Sequence, residues 1–226
     1  MKCIVFDLDK TLCDLNEGIS NENILRLKEL EAKGNYICIC SGKPTFYLCG
    51  MFRQVGLKNP ILIGENGGVI QFGINLPPKK YYVVSKKEEA IKQLKELKID
   101  LQNKFKDVLW YQPNEIALTA FSQEEKYFDI VKNYIDKKNL KDITIYRHID
   151  SLDLVPSDVD KFNGLTYLAS LLNLTRNDFI AVGDGINDYP MFEFAMLSLG
   201  ININDETKVN KNFKNIDDVL SYLLEI

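Results

Sequence analysis

The segment Lys2-Cys3-Ile4-Val5-Phe6-Asp7-Leu8-Asp9-Lys10-Thr11 runs an apolar stretch directly into two carboxylates. A short, continuous apolar run is the pattern of a strand buried on both faces. Carboxylates just past its end lie where open parallel sheets bind their ligands, outside the carboxyl ends of the strands. Two further apolar runs end in the same way. Tyr36-Ile37-Cys38-Ile39-Cys40 leads into Ser41-Gly42, and Phe179-Ile180-Ala181-Val182 leads into Gly183-Asp184-Gly185-Ile186-Asn187-Asp188. With Lys161, these segments supply the groups that a phosphoryl-transfer site requires.

Outward from these runs, residues 23–33 place Ile24, Leu27 and Leu30 at helical spacing before a stop at Gly34. Helices are also expected over 44–55, 163–172, 188–195 and 216–224, and strands over 61–63, 69–72 and 197–201, with a Gly67-Gly68 turn before the second. Strands alternating with helices predict an α/β fold, a Rossmann-like parallel sheet covered on both faces.

The alternation breaks at Pro77-Pro78. A helix over 86–106 then precedes a strand pair at 108–111 and 115–121, and a helix over 123–138 precedes a pair at 143–148 and 152–155. Two helix-hairpin units of this kind predict one antiparallel sheet with helices on one side. The expected organisation is therefore a core formed by 1–78 and 158–226 with an inserted α+β cap domain at 79–157.

Composition narrows the function. The chain has 226 residues, of which 46% are hydrophobic, enough to bury a full core. It shows neither an apolar run of membrane-spanning length nor a secretory pattern at its N-terminus, so a cytoplasmic protein without membrane association is expected. A formal charge of −4 argues against general affinity for nucleic acid; lysine-rich stretches at 86–106 and 132–141 read as solvated helix faces. The expected partner is a small phosphorylated metabolite. Nothing in the sequence indicates the oligomeric state.

Of the five cysteines, Cys3, Cys38 and Cys40 lie inside apolar runs and read as small buried hydrophobes. His148 is the only histidine, which removes most Ser-His and Cys-His nucleophiles and multi-histidine zinc sites. It reads as a partly exposed strand residue. Trp110, Tyr111 and Arg147 share its region and, as aromatic or basic residues on strands, read as packing groups unless they face substrate.

Carboxylates must then carry the chemistry. Asp7 and Asp9, two apart at the end of an extended segment, can point the same way, and such crowding demands a cation. A hard divalent ion such as Mg²⁺ suits oxygen ligands of this kind, with Asp184 and Asp188 completing or supporting the site. Asp7 is the expected nucleophile, and Asp9 the acid toward the leaving oxygen and then the base for water. Ser41, Gly42, Lys161 and Asn187 are expected to hold the phosphoryl group, although Ser41, Asn187 and Asp188 also suit plain helix-start positions.

Together, Asp-x-Asp-x-Thr at 7–11, Ser41, Lys161 and Gly-Asp-Gly-x-Asn-Asp at 183–188 resemble, in order, the four motifs of the haloacid dehalogenase superfamily of phosphatases. The insertion between the second and third motifs resembles the alpha/beta cap of its Cof-like branch, and the chain is compact like the archaeal-type phosphoglycolate phosphatases. The resemblance covers the whole chain. It implies Mg²⁺ held by the Asp7 and Asp184 side chains and the Asp9 main-chain carbonyl, with Asp188 close by or behind them. It also implies a substrate-facing turn at Glu65-Asn66-Gly67-Gly68, which brings Asn66 to the site. Lys10 stands where glycine is common, and Lys43 stands where arginine is usual, losing a bidentate fork and altering substrate choice.

The function that follows is a Mg²⁺-dependent phosphatase acting on phosphoglycolate or a sugar phosphate through an aspartyl-phosphate. The alternatives are a phosphomutase of the same superfamily, revealed by an isomerised product, and a non-catalytic phosphometabolite-binding protein, whose expected signature is loss of Asp7 or Asp9.

Overall fold

A computed structural model describes residues 1–15, 17–148 and 150–226. It divides into two compact units, one formed by Met1–Val84 with Asp160–Ile226 and the other by Ser85–Val159.

In the first unit the chain runs β1 (Cys3–Phe6), α1 (Asn21–Ala32), β2 (Tyr36–Cys40), α2 (Thr45–Val55), β3 (Ile61–Gly64), β4 (Val69–Phe72) and β5 (Lys80–Val83). The second unit contributes α3 (Glu88–Lys104), β6 (Trp110–Tyr111), β7 (Leu118–Phe121), α4 (Lys126–Asp136), β8 (Ile143–Arg147) and β9 (Ser151–Pro156). The chain returns to the first through α5 (Lys161–Leu172), β10 (Phe179–Gly183), α6 (Tyr189–Phe194), β11 (Leu197–Ile201), β12 (Lys211–Phe213) and α7 (Ile216–Glu225).

The larger sheet has the order β12-β11-β10-β1-β2-β3-β4-β5. Neighbours from β12 to β3 are parallel, whereas β4 and β5 pair antiparallel. The sheet is thus mixed, and its parallel part is the α/β core read from the sequence.

Side-chain alternation along β1 and β2 divides the core between the two faces. Ile4, Phe6, Ile37 and Ile39 pack with Leu27 and Leu30 of α1, Leu48 and Phe52 of α2, and Leu220 and Leu223 of α7. Cys3, Val5, Cys38 and Cys40 face the other way, onto Leu165 and Leu168 of α5 and Phe192 and Phe194 of α6. All five cysteines are free thiols. Burial pushes the Cys40 thiol up to about 12, so it behaves as an apolar core group.

Capping fixes where the helices start. Ser20 accepts from the Asn23 amide at α1, Asp160 accepts from the Asn163 amide at α5, and Asn215 accepts from the Asp218 amide at α7. Because Asp160 is the cap, α5 begins at Lys161, two residues before the expected start.

The second unit holds an antiparallel sheet of order β6-β7-β9-β8. Leu94, Leu97 and Leu101 of α3 and Phe128, Val131 and Ile135 of α4 pack against Leu118, Ala120, Leu152 and Leu154.

The sequence-based boundaries of 78/79 and 157/158 are displaced to 84/85 and 159/160. Residues 80–83 pair with β4 instead of joining the insertion. As an edge strand, β5 buries little, so it carries a weak periodic signal. The edge strand β12 likewise had no expectation.

Candidate active site

β1 and β10 pair in register from Cys3↔Phe179 to Phe6↔Val182, and the Asp7 amide extends the ladder by donating to the Val182 carbonyl at 2.9 Å. Asp7 is thereby pinned between the two central strands. The chain then turns sharply. Leu8 and Leu12 are buried anchors, the Leu8 carbonyl accepts the Leu12 amide at 2.9 Å, and the Lys10 amide donates to the Cys13 carbonyl at 2.7 Å. Lys10 takes φ +65° in this turn, a left-handed conformation that glycine adopts more readily than lysine.

Two glycines let the turn after β10 close on itself. A Cβ on Gly183 would lie 2.5 Å from Asp188 Oδ2, and one on Gly185 would lie 2.5 Å from Asn187 Oδ1. Asp188 Oδ2 accepts from the amides of Asp184 at 2.9 Å and Gly185 at 3.0 Å, so this carboxylate ties the turn together.

At the centre lies Lys161, whose side chain is 1% exposed. Its Nζ donates to Asp7 Oδ1 and to Asp188 Oδ1, each at 2.6 Å. Thr11 Oγ1 donates to Asp184 Oδ1 at 2.8 Å, joining the first and last motifs. Asp7, Asp184 and Asp188 can each place a carboxylate oxygen within 4.8 Å of the others.

The electrostatics follow from one ammonium, bonded to Asp7 and Asp188, beside three clustered carboxylates. Burial opposes the charge on Lys161, but Asp188 and Asp7 reverse that effect and raise its pKa. Asp7 is pushed up to about 7, chiefly by burial, because Lys161 only partly offsets that cost and Asp188 and Asp184 add like charge. Burial also raises Asp184. The cluster therefore carries excess negative charge that a divalent cation would offset, and an all-oxygen donor set fits a hard ion.

The donors divide by their existing bonds. Both Asp188 oxygens are taken, by Lys161 and by two main-chain amides. Asp7 and Asp184 each spend only one oxygen on a hydrogen bond among the described residues. Asp7 and Asp184 are thus the carboxylates that could hold a cation, with Asp188 bracing them.

Asp9 is placed differently from its neighbour. Its carboxylate lies apart from the acidic cluster, with Lys43 Nζ 3.5 Å from Oδ2. Ser41 is buried at the end of β2, where its amide donates to the Ile63 carbonyl at 2.9 Å. Its Oγ accepts from the Lys43 amide at 3.2 Å; the cap position of α2 is Pro44, so Ser41 does not cap that helix. A Cβ on Gly42 would lie 3.2 Å from Asn66 Oδ1, which brings Asn66 beside the Ser41-Gly42 loop. Asn66 itself has φ +58°. Asn187 is exposed, with its side-chain oxygen folded back over Gly185, outside the buried group around Lys161.

Trp110, Tyr111, Arg147 and His148 belong to the second unit. There, Arg147 lies over the Phe128 ring at 4.2 Å, and His148 Nε2 is 3.4 Å from Asp153 Oδ2. Tyr111 packs against that unit's buried cluster, whereas Arg147 is exposed and touches it only through the Phe128 ring.

Sequence reasoning missed two supports. Thr11 stood in the first motif but had no assigned task until its bond to Asp184 appeared. The Gly67–Gly164 contact had no sequence signal at all. A Cβ on Gly164 would lie 2.7 Å from the Gly67 Cα, and one on Gly67 would overlap the Asp160 carbonyl at 2.1 Å. This approach sets the 65–67 turn against the helix start that carries Lys161.

A family model for haloacid dehalogenase-like hydrolases matches residues 4–149 and 77–216. A phosphoglycolate phosphatase of Methanococcoides burtonii is 26% identical over 206 residues, spanning 89% of this chain and 83% of its own length. A 5-amino-6-(5-phospho-D-ribitylamino)uracil phosphatase of Bacillus subtilis is 24% identical, spanning 100% of this chain and 97% of its own. The crystal structure of a Thermotoga maritima protein superposes with a TM-score of 0.79 at 19% identity, covering 100% of this chain and 97% of that one. The chain belongs to the haloacid dehalogenase-like hydrolase family. Among the described residues, no helix is long and apolar enough to cross a membrane.

Proposed function

We propose that this hydrolase is a phosphomonoesterase that acts on a small phosphorylated metabolite by way of an aspartyl-phosphate. The observation that carries the reading is Lys161 Nζ held at 2.6 Å from both Asp7 and Asp188, at the carboxyl ends of β1 and β10. A cation buried against a carboxylate in this way both orients the nucleophile and supplies charge for an incoming phosphoryl group.

In this reading a carboxylate oxygen of Asp7 attacks phosphorus, the bond from phosphorus to the ester oxygen breaks, and Asp9 gives its proton to the departing alkoxide. Asp9, now a carboxylate, takes a proton from water as that water attacks phosphorus, which frees Asp7 and releases inorganic phosphate. Ser41, the Gly42 amide and Lys161 hold the phosphoryl oxygens. Mg²⁺, held by Asp7, Asp184 and the Asp9 carbonyl, would supply charge neutralisation for substrate and transition state. No hydrogen bond falls on that carbonyl among the described residues.

For substrate class we take phosphoglycolate or a sugar phosphate; the first of these is supported by the name of a relative that matches most of the chain. The test is phosphate release from a panel of phosphorylated metabolites, with and without Mg²⁺, for the native chain beside Asp7→Asn. Metal-dependent turnover that disappears with Asp7→Asn is expected. Equal release from both proteins, or none from the native chain, overturns the reading.

A further inference from the structure

Lys43 is fixed more firmly than a half-exposed lysine needs to be. Its amide donates to Ser41 Oγ at 3.2 Å, and its carbonyl accepts from the Glu65 amide at 3.0 Å. Gly64 approaches so closely that a Cβ there would lie 2.8 Å from the Lys43 carbonyl. From this pinned backbone the side chain reaches between the Tyr47 ring, 5.9 Å from Nζ, and Asp9 Oδ2, 3.5 Å away.

Among the described residues, Lys43 is the one side chain that pairs with the Asp9 carboxylate. Their side chains are 28% and 29% exposed. A pair this open to water contributes little to stability. Ordering a lysine side chain costs roughly as much or more. The fold gains almost nothing from the contact, whereas aiming a proton donor contributes on the order of 10²–10⁴ in rate.

We infer that Lys43 is a positioning residue for Asp9, holding its carboxyl group where it meets the leaving oxygen of the substrate. The assignment rests on the phosphatase reading and adds to it a task for the lysine that replaces the usual arginine. Lys43 takes no proton in the reaction. Asp9 alone transfers it, and Lys43 sets the direction in which Asp9 points.

A leaving-group series tests this. The native chain, Lys43→Met, Lys43→Arg, Asp9→Asn and the double variant Lys43→Met/Asp9→Asn are assayed with Mg²⁺. The substrates are p-nitrophenyl phosphate, phenyl phosphate and the phosphate monoester of an uncharged alkyl alcohol that the native chain turns over fastest. The quantity read is kcat/KM, which covers only the steps through departure of the alcohol. A nitrophenolate leaves without a proton and an alkoxide does not. Lys43→Met is therefore expected to lose at least about tenfold more on the alkyl ester than on p-nitrophenyl phosphate. Lys43→Arg should recover most of that difference, and the double variant should be no worse than Asp9→Asn on the alkyl ester.

Equal loss across the series overturns the assignment, because damage to the fold or to phosphate binding ignores the leaving group. A rise in KM alone, with the leaving-group dependence unchanged, also overturns it and makes Lys43 a substrate contact. Silence of the native chain on all three esters overturns the phosphatase reading itself, which separates that failure from failure of this inference.

Discussion

Lys161 Nζ and Asp7 Oδ1 meet at 2.6 Å across 154 positions of sequence, both buried. Neither charge has water to fall back on, so each depends on the other and on Asp188.

Lys161→Met keeps most of the buried volume but leaves Asp7 and Asp188 without their cation. Removing one partner of a buried pair costs about 3–5 kcal/mol. Urea unfolding at neutral pH should show a loss of that size. A loss typical of surface pairs, below about 1 kcal/mol, would mean that the ammonium is not buried as described.

Gly164→Ala should destabilise and also disturb the site. The added methyl meets the Gly67 backbone at 2.7–2.9 Å, and main chain cannot rotate out of the way. Overpacking of this kind costs roughly 1–3 kcal/mol. Gly18, with nothing within 4 Å of its Cβ position, is the control. If Gly164→Ala and Gly18→Ala melt alike, the close approach of α5 to the 65–67 turn is wrong.

Lys10→Gly tests the turn after β1. A left-handed conformation costs a non-glycine residue about 1–2 kcal/mol. The extra freedom of glycine in the unfolded chain takes back roughly 0.5–1 kcal/mol. The variant should therefore be as stable as the native chain or slightly more so, by chemical denaturation. Clear destabilisation would contradict φ +65° at this position.

His148, the only histidine, gives a clean titration. The hydrogen bond to Asp153 raises its pKa above the ordinary value of 6.5, with burial opposing. The imidazolium is thus favoured in the folded state. Its contribution to stability is complete below the unfolded pKa and disappears as pH rises through the folded one. The imidazole proton resonances should titrate above 6.5 in the native chain and move down in Asp153→Asn. An unchanged midpoint would rule out the Asp153 pairing.

The parallel core is legible in the residues alone, because buried strands and the helices that cover them leave apolar runs and helical spacing that survive in one dimension. The places where chemistry could sit are legible too, since Asp7, Ser41 and Asp184 each follow such a run. How these groups divide the work emerges from the folded chain. Asp7 and Asp9, alike in sequence, separate into a carboxylate on Lys161 and one beside Lys43. Asp188 becomes a brace with both oxygens occupied, and Gly67 meets Gly164. Residues 80–83 join the larger sheet. The physical reason is common to all of these. Periodicity reports which face of an element is buried, whereas the distance between two loops depends on register, turn geometry and packing between segments far apart in the chain.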